Sequence, residues 1–465
     1  MESNKETIKS EKTTENEKIS LDEQVSYGLG DGATAILGVT IASFSMFYYT
    51  DVIGISAAAI GTILFFSRFF DAITNIIMGF IIDRTDTKYG KARPWILWTT
   101  IPFALSSILI FSAPTSWGQN ALLIFVLVTQ NLYFLLYTTN NIPYGTLGAL
   151  ITKDAQIRSN LNIARMLSYF GVSLIIPAIT LPMVNFFGGG PRSWQITMTI
   201  FAISSIFIFG IVFFRTKERV KPAIQKKEAK NPSVKTSIAT LLTNKYWVIL
   251  FFIMIFGWSI LGFMQGAPVY YAEHIMGNSN LVGIINAFFT APLILGFIMV
   301  PMITKKIGRK KMLTAGLILV TIGSLIMVIN PSSLLIVSIS SFIRSIGFAP
   351  IMGSAYAMLA DTIDYGEWIK GIRNDGLVYS GGTFATTIGG GIASGGIGWF
   401  LGLAGYISGS DTQPSSAYNM IQFVFIYLPA ILGVLMLILL YFYRLDELHP
   451  RIVRDLKQRM EKESH

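Results

Sequence analysis

From about Val25 to about Arg444 the chain alternates long apolar runs with short polar connections. Each run is long enough to cross ~30 Å of hydrocarbon as a helix at 1.5 Å per residue. By that length criterion about twelve runs are present, centred near Leu37, Phe69, Leu105, Tyr133, Ser173, Ser204, Phe256, Phe289, Ile322, Gly347, Gly389 and Leu432. The pattern predicts an all-α membrane protein, since a spanning segment must satisfy its own backbone hydrogen bonds. The longest internal polar segment, about Thr216 to Ser237, divides the runs evenly and carries Lys217, Arg219, Lys221, Lys226, Lys227 and Lys230. The expected organisation is a tail (1–24), a first bundle (25–215), a basic loop (216–240), a second bundle (241–445) and a closing tail (446–465).

The connections decide orientation. One set is nearly free of cations: Thr50–Ser56, Pro114–Asn120, Glu273–Asn280, Asn330–Ser333 and Ser408–Asn419, with Arg192 as the exception. The alternate set is dense in them: Arg84, Lys88, Lys91 and Arg93; Lys153 and Arg158; Arg215 through Lys245; Lys305 through Lys311; and the tail after Arg444. Cation-rich loops stay in the cytoplasm, so both termini are expected there, in a multi-pass protein of the plasma membrane. Two basic turns also echo each other, Tyr89-Gly90-Lys91-Ala92-Arg93 after the second helix and Ile307-Gly308-Arg309-Lys310-Lys311 after the eighth. Parallel halves of about six helices, each with a basic turn at the matching position, describe the major facilitator fold.

Composition agrees. Only 13% of the 465 residues are charged and 52% are hydrophobic, with a mean hydropathy of +0.56; a soluble chain keeps about a quarter of its residues charged. The net charge of +10 is loop charge on this reading rather than a nucleic-acid surface. With no cysteine and three histidines, His274, His449 and His465, all near helix ends or in the tail, thiolate chemistry is excluded and a histidine-held metal is not expected. The segment before about Glu23 has no apolar run of the kind a signal peptide requires and reads as a solvated, mobile tail.

Ionisable groups at membrane depth cost about 2.5–3.5 kcal/mol each and ask for an explanation. Arg68, Asp71 and Asn75 share one face of the second helix, with Thr74 beside them. Asp71 reads as the site of a coupling cation or proton; its alternative is mutual neutralisation with Arg68. Arg344 lies roughly 16 Å deep by helical rise and either faces an acidic or hydroxyl-rich solute or pairs with Asp71. Tyr137, Thr138, Asn140 and Asn141 of the fourth helix could present amides and hydroxyls to a sugar, or could join helices. Thr383 and Thr387 stand among glycines that read as close helix packing, because no Walker-type Lys-Ser/Thr follows them. Trp258 and Gln265 of the seventh helix are further cavity candidates. Toward the cytoplasm, Asp361, Asp364, Arg373 and Asp375 could pair with Arg158 of the opposite half as an inner gate, or act as interfacial anchors.

At these residues the sequence resembles the glycoside–pentoside–hexuronide:cation symporter family. The resemblance is carried by Ser26-Tyr27-Gly28-Leu29-Gly30-Asp31, Tyr48-Tyr49-Thr50-Asp51-Val52, Asp71-Ala72-Ile73 with Met78-Gly79, Gly90-Lys91-Ala92-Arg93-Pro94-Trp95, Asn141-Ile142-Pro143-Tyr144 and Ala360-Asp361-Thr362-Ile363-Asp364-Tyr365-Gly366-Glu367. It implies sugar or glycoside uptake coupled to Na⁺ or H⁺, a cation-site carboxylate at Asp71 with Thr138 beside it, and a sugar pathway lined by Arg165 and Thr383. Departures from melibiose permease, the best-known member, are as informative. Asn75 and Asn141 stand where that protein has carboxylates and Thr387 where it has a lysine; Ala35 replaces another carboxylate, and Gly145 and Met352 replace tryptophans. Melibiose is therefore not the expected substrate, and a lone buried Asp suits a proton at least as well as Na⁺.

The expected function is secondary active symport by alternating access, with the solute near the midplane between the halves. The alternative is an uncoupled facilitator or exporter of the same fold, motivated by Asn75 and Thr387. An enzyme is not expected, because no nucleophile–base or metal constellation is present. The expected partners are a small sugar or glycoside and the lipid bilayer, with no nucleic acid, no cofactor, no metal beyond a Na⁺ at Asp71, and a monomeric state.

Overall fold

The computed structural model describes residues 19–220, 241–371, 375–410 and 412–463. The first residues of the expected N-terminal tail, most of the basic loop, and Arg373 of the expected gate lie outside them. The long helices are α1 (Leu21–Val52), α2 (Ala57–Asp83), α3 (Arg93–Ile110), α4 (Gln119–Ile151), α5 (Ala155–Phe186), α6 (Pro191–Arg215), α7 (Lys245–Gly266), α8 (Val282–Ile307), α9 (Arg309–Ile326), α10 (Leu334–Lys370), α11 (Asp375–Leu403) and α12 (Ser415–Phe442). Each of the apolar centres read from the sequence falls on one of them. Ten are long and apolar enough to cross a membrane. The other two, α3 and α11, are diluted by an Arg-Pro start with four hydroxyl residues and by repeated glycine and threonine, respectively. No strand occurs among the described residues.

Local chemistry sets the helix ends. Ser20, Asp154 and Asn244 accept from the backbone N–H groups of Glu23, Ile157 and Trp247 at 3.2, 2.9 and 3.1 Å, capping α1, α5 and α7. Gly371 ends α10 in the left-handed region, where a side chain would be strained. The basic turn before α3 is held from a distance: Glu218 accepts from the N–H groups of Lys91, Ala92 and Arg93 at 2.8, 2.8 and 2.9 Å. These are orphan donors at a helix start, where a carboxylate is favoured by both hydrogen bonding and the helix dipole.

α1 packs on α5 and α6, and α3 on α4 and α6; in the second half α7 packs on α11, α8 on α10, and α9 on α10 and α12. The halves meet along α2 with α11 and α5 with α8. Small residues allow that approach: a Cβ on Gly61 would lie 2.6 Å from the carbonyl oxygen of Gly395, and one on Gly283 would lie 2.5 Å from Cα of Ala178. Residues 445–463, read from sequence as a tail, form a further helix, α13 (Leu445–Glu463). It buries Leu445 and Ile452 and docks on α10, where Trp368 Nε1 donates to Asp455 at 3.1 Å. The start of α1 and the end of α12 lie at one face, called here the tail face, and the opposite one is the far face.

Candidate functional site

Two cavities lie between the halves. The smaller, about 240 Å³, is lined by Arg68 and Asp71 of α2, Gln130, Tyr133 and Tyr137 of α4, and Gln265 of α7. The larger, about 410 Å³, is lined by Asp31 of α1, Tyr169 of α5, Trp258 and Gln265 of α7, and Asn286 of α8. Val39, Tyr169 and Gln265 belong to both walls, so the cavities abut.

Asp71 is buried in protein and lines the smaller cavity. Its Oδ1 accepts from Thr138 Oγ1 at 3.0 Å and from Asn75 Nδ2 at 3.2 Å. Thr74 Oγ1 donates to the Asp71 carbonyl at 2.8 Å and reaches Thr138 Oγ1 at 3.5 Å. Asp71, Thr74, Asn75 and Thr138 thus form one oxygen-rich cluster between α2 and α4. Among the described residues no donor reaches Oδ2, which leaves that oxygen for an incoming ion or proton. Arg68 makes no ion pair with Asp71 among the described residues. Its guanidinium lies 4.8 Å from the centre of the Phe134 ring, so direct neutralisation by Arg68 is not what holds the carboxylate in place. An acidic group in a low-dielectric setting, flanked by hydroxyls and an amide and facing a cavity, can take up a cation or a proton.

A second carboxylate serves the larger cavity. Arg165 Nε donates to Asp31 Oδ2 at 2.8 Å and its terminal nitrogen to Oδ1 at 3.2 Å, a bidentate pair. The guanidinium rests 4.8 Å from the centre of the Tyr144 ring, and the Tyr144 hydroxyl donates to the Tyr27 carbonyl at 2.6 Å. Arg165 is therefore held against Asp31 by two aromatic residues, Tyr27 and Tyr144, and both members of the pair stay partly exposed.

Several residues singled out from sequence lie elsewhere. Arg344 faces neither cavity and does not pair with Asp71. It is 1% exposed, donates to the Phe425 carbonyl at 3.0 Å and lies over the Phe425 ring. That carbonyl belongs to a π-turn in α12 (Phe423–Tyr427), so the guanidinium satisfies an irregular backbone and replaces the solute counter-charge expected there. Asn140 donates to Thr99 and Thr100 of α3 at 3.2 and 3.3 Å, joining two helices, and Asn141 donates to the Tyr137 hydroxyl at 3.2 Å. Thr383 and Thr387 bond to carbonyls of their own helix and line neither cavity. Of the expected gate, Arg158 donates to the Thr152 and Ala149 carbonyls and Asp361 pairs with Arg309. Asp364 Oδ2 lies 3.0 Å from His449 Nε2. These partners lie in the same half as the residue they hold, so among the described residues Arg158 and Asp361 do not bridge the halves. Asp375 begins α11 at the tail face.

The bridge lies at the far face. Thr50 and Tyr270 hydroxyls are 2.7 Å apart, Tyr406 donates to Asp51, His274 Nε2 is 2.7 Å from the Tyr406 hydroxyl, and Ser408 donates to the Ile55 carbonyl at 2.9 Å. Each contact except His274–Tyr406 joins α1–α2 to the second half. Sequence reasoning gave His274 no role, because its partners come from segments over 100 residues away. Gln130 and Asn286 were also missed. Each leaves one buried side-chain polar atom without a partner, Oε1 and Nδ2 respectively, while its residue lines a cavity; nothing in a single sequence marks a lone amide as cavity-facing.

A profile of the family described as MFS/sugar transport protein matches residues 26–447. The isoprimeverose transporter of Lactiplantibacillus pentosus is 33% identical, with 95% of this chain and 92% of that protein aligned. The inner membrane symporter YicJ of Escherichia coli (strain K12) is 29% identical over 89% of this chain and 90% of its own. Among solved structures, the nucleoside transporter NupG superposes with a TM-score of 0.60 at 12% identity, covering 91% of this chain and all of that one; this supports the fold alone. With its paired bundles, its cavities between them and a profile match along nearly its whole length, the chain belongs to the MFS/sugar transport protein family and is a transporter rather than an enzyme.

Proposed function

We propose that this protein is a sugar or glycoside:cation symporter that works by alternating access, with Asp71 as the coupling-ion carboxylate. The observation that carries the reading is the cluster of Asp71, Thr74, Asn75 and Thr138 on the wall of a cavity between the halves. An ion or proton held there changes the charge of the solute site itself, which is how two ligands become coupled. A tenfold tightening of sugar binding by the ion corresponds to about 1.4 kcal/mol and requires the same tightening of ion binding by sugar. The ion is Na⁺ or H⁺; no other cofactor enters the cycle. The names of the relatives, an isoprimeverose transporter and a symporter, support the substrate class and the mode of transport.

The cation-rich tail face is the cytoplasmic one by the positive-inside rule, in the plasma membrane, and a monomer carries out the cycle. The far-face contacts around Thr50, Asp51, Tyr270 and Tyr406 then close the external entrance, and the conformation described is the one open to the cytoplasm. Arg158, Asp361, Asp364 and Asp375 stand on the face that must close in the opposite state.

Purified protein in vesicles tests this. Isoprimeverose and other neutral glycosides should accumulate above equilibrium under an imposed Na⁺ or H⁺ gradient, and the accumulation should collapse when that gradient is dissipated. Equilibration without accumulation would make the protein an uncoupled facilitator. Absence of sugar flux under every gradient would remove the substrate class.

A further inference from the structure

We propose that Gln130 and Asn286 set the length of the solute, each gripping one ring of a two-ring glycoside that lies across both cavities. This inference rests on the sugar-transport reading above and narrows it to two residues and a substrate shape. Gln130 lies on α4 in the first half and is 2% exposed; Asn286 lies on α8 in the second half and is 5% exposed. Gln130 lines only the smaller cavity and Asn286 only the larger. Among the described residues, Gln130 Oε1 and Asn286 Nδ2 have no hydrogen-bond partner. An amide buried in that condition costs free energy unless something else completes its bonds. An apolar side chain of similar size would fill the same wall without that cost, so the two amides mark places where a ligand supplies the missing bonds.

The two chambers work as one site. The smaller, about 240 Å³, falls short of the ~300–1,000 Å³ that small-molecule sites occupy; joined to the larger, about 410 Å³, it lies within that range. One orphan amide stands in each chamber, and a third amide, Gln265 of α7, stands where they meet. A carboxamide both donates and accepts, as a sugar hydroxyl does, so each amide suits a ring hydroxyl and none asks for a charge. Tyr133 in the smaller chamber and Trp258 in the larger supply aromatic surface for the apolar side of a sugar ring. A single ring occupies one chamber and completes one orphan amide; two joined rings complete both. Because Gln130 and Asn286 belong to different halves, a solute that reaches both ties the bundles together, which favours the state closed around it.

Isoprimeverose, a xylose joined to a glucose, and its two component sugars test this by calorimetric binding to the purified full-length protein. The wild type should bind isoprimeverose at least about tenfold more tightly than either component, the order of one further hydrogen bond to an amide that otherwise stays buried and unpaired. Gln130→Leu and Asn286→Leu should each weaken isoprimeverose about tenfold, while each component sugar loses affinity in no more than one of the two variants. Without sugar, both variants should unfold at the same temperature as the wild type or a higher one, since each removes an unpaired buried amide. Gln130→Ala and Asn286→Ala, which cannot overpack the wall, carry the same binding comparison should a leucine variant not fold. Equal wild-type affinity for isoprimeverose and a component sugar, a component sugar weakened by both variants, or a folded variant that loses stability in place of isoprimeverose affinity would overturn the assignment while leaving sugar transport standing. Binding of none of the three sugars, nor of any other glycoside, would overturn both.

Discussion

The halves are pressed together at the far face by a glycine contact that can be wedged open. Gly61 of α2 lies against α11 so closely that a Cβ would sit 2.6 Å from the Gly395 carbonyl oxygen, 3.0 Å from Gly398 Cα and 3.3 Å from the Trp399 nitrogen. All three are backbone atoms, so no side chain can swing aside; the helices themselves must separate. Overpacking of this kind costs about 1–3 kcal/mol. If the contact exists only while the far face is closed, Gly61→Val penalises that state alone, and its population relative to the far-open state falls roughly 5- to 150-fold. The chain has no cysteine, so Ser45→Cys gives a single thiol on the wall of the smaller cavity without background. Labelling of that thiol by an impermeant maleimide applied only to the far face of sealed vesicles should accelerate by about that factor until the far-open state dominates. Unchanged labelling in a folded Gly61→Val protein would refute the idea that α2 and α11 part during opening.

Two further substitutions separate structural from transport roles. Arg344→Met removes a charge-assisted hydrogen bond to the α12 π-turn, worth about 1.5–3 kcal/mol; it should lower the thermal unfolding temperature and leave sugar preference unchanged, whereas altered preference at unchanged stability would place Arg344 in the solute path. Glu218→Ala strips the acceptor from three N–H groups at the start of α3 and should raise hydrogen exchange at Lys91–Arg93 by at least about tenfold; equal protection would mean that Glu218 does not hold the turn.

The helical layout was readable because hydrophobic run length is a strong constraint in lipid, where each span must be long, apolar and self-satisfied. The cavity walls were readable only in part. Spacing on α2 put Arg68, Asp71 and Asn75 on one face, but Thr138 joins them across sixty-odd residues of chain, and only the family resemblance suggested it. Arg344 shows the limit most plainly: helical rise gives the depth of a residue, while the face it turns to depends on the neighbour, here a π-turn in α12 that no local pattern announces. Asp31 stood in one of the resemblance segments without a role, because its meaning needs Arg165, Tyr27 and Tyr144 placed around it. Thr383 and Thr387 looked like solute ligands on α11, yet their hydroxyls bond back to their own helix. The segment after Arg444 is cation-rich and has no membrane-length apolar run, which is the pattern of a tail; its buried Leu445 and Ile452 anchor a docked helix.

Whether Asp71 converts an ion gradient into solute accumulation can be measured in one preparation. Vesicles containing Asp71→Asn should exchange internal for external glycoside yet fail to concentrate it under a Na⁺ or H⁺ gradient, since the amide keeps the cavity shape and loses the charge. Accumulation by that variant to the wild-type level would contradict the account.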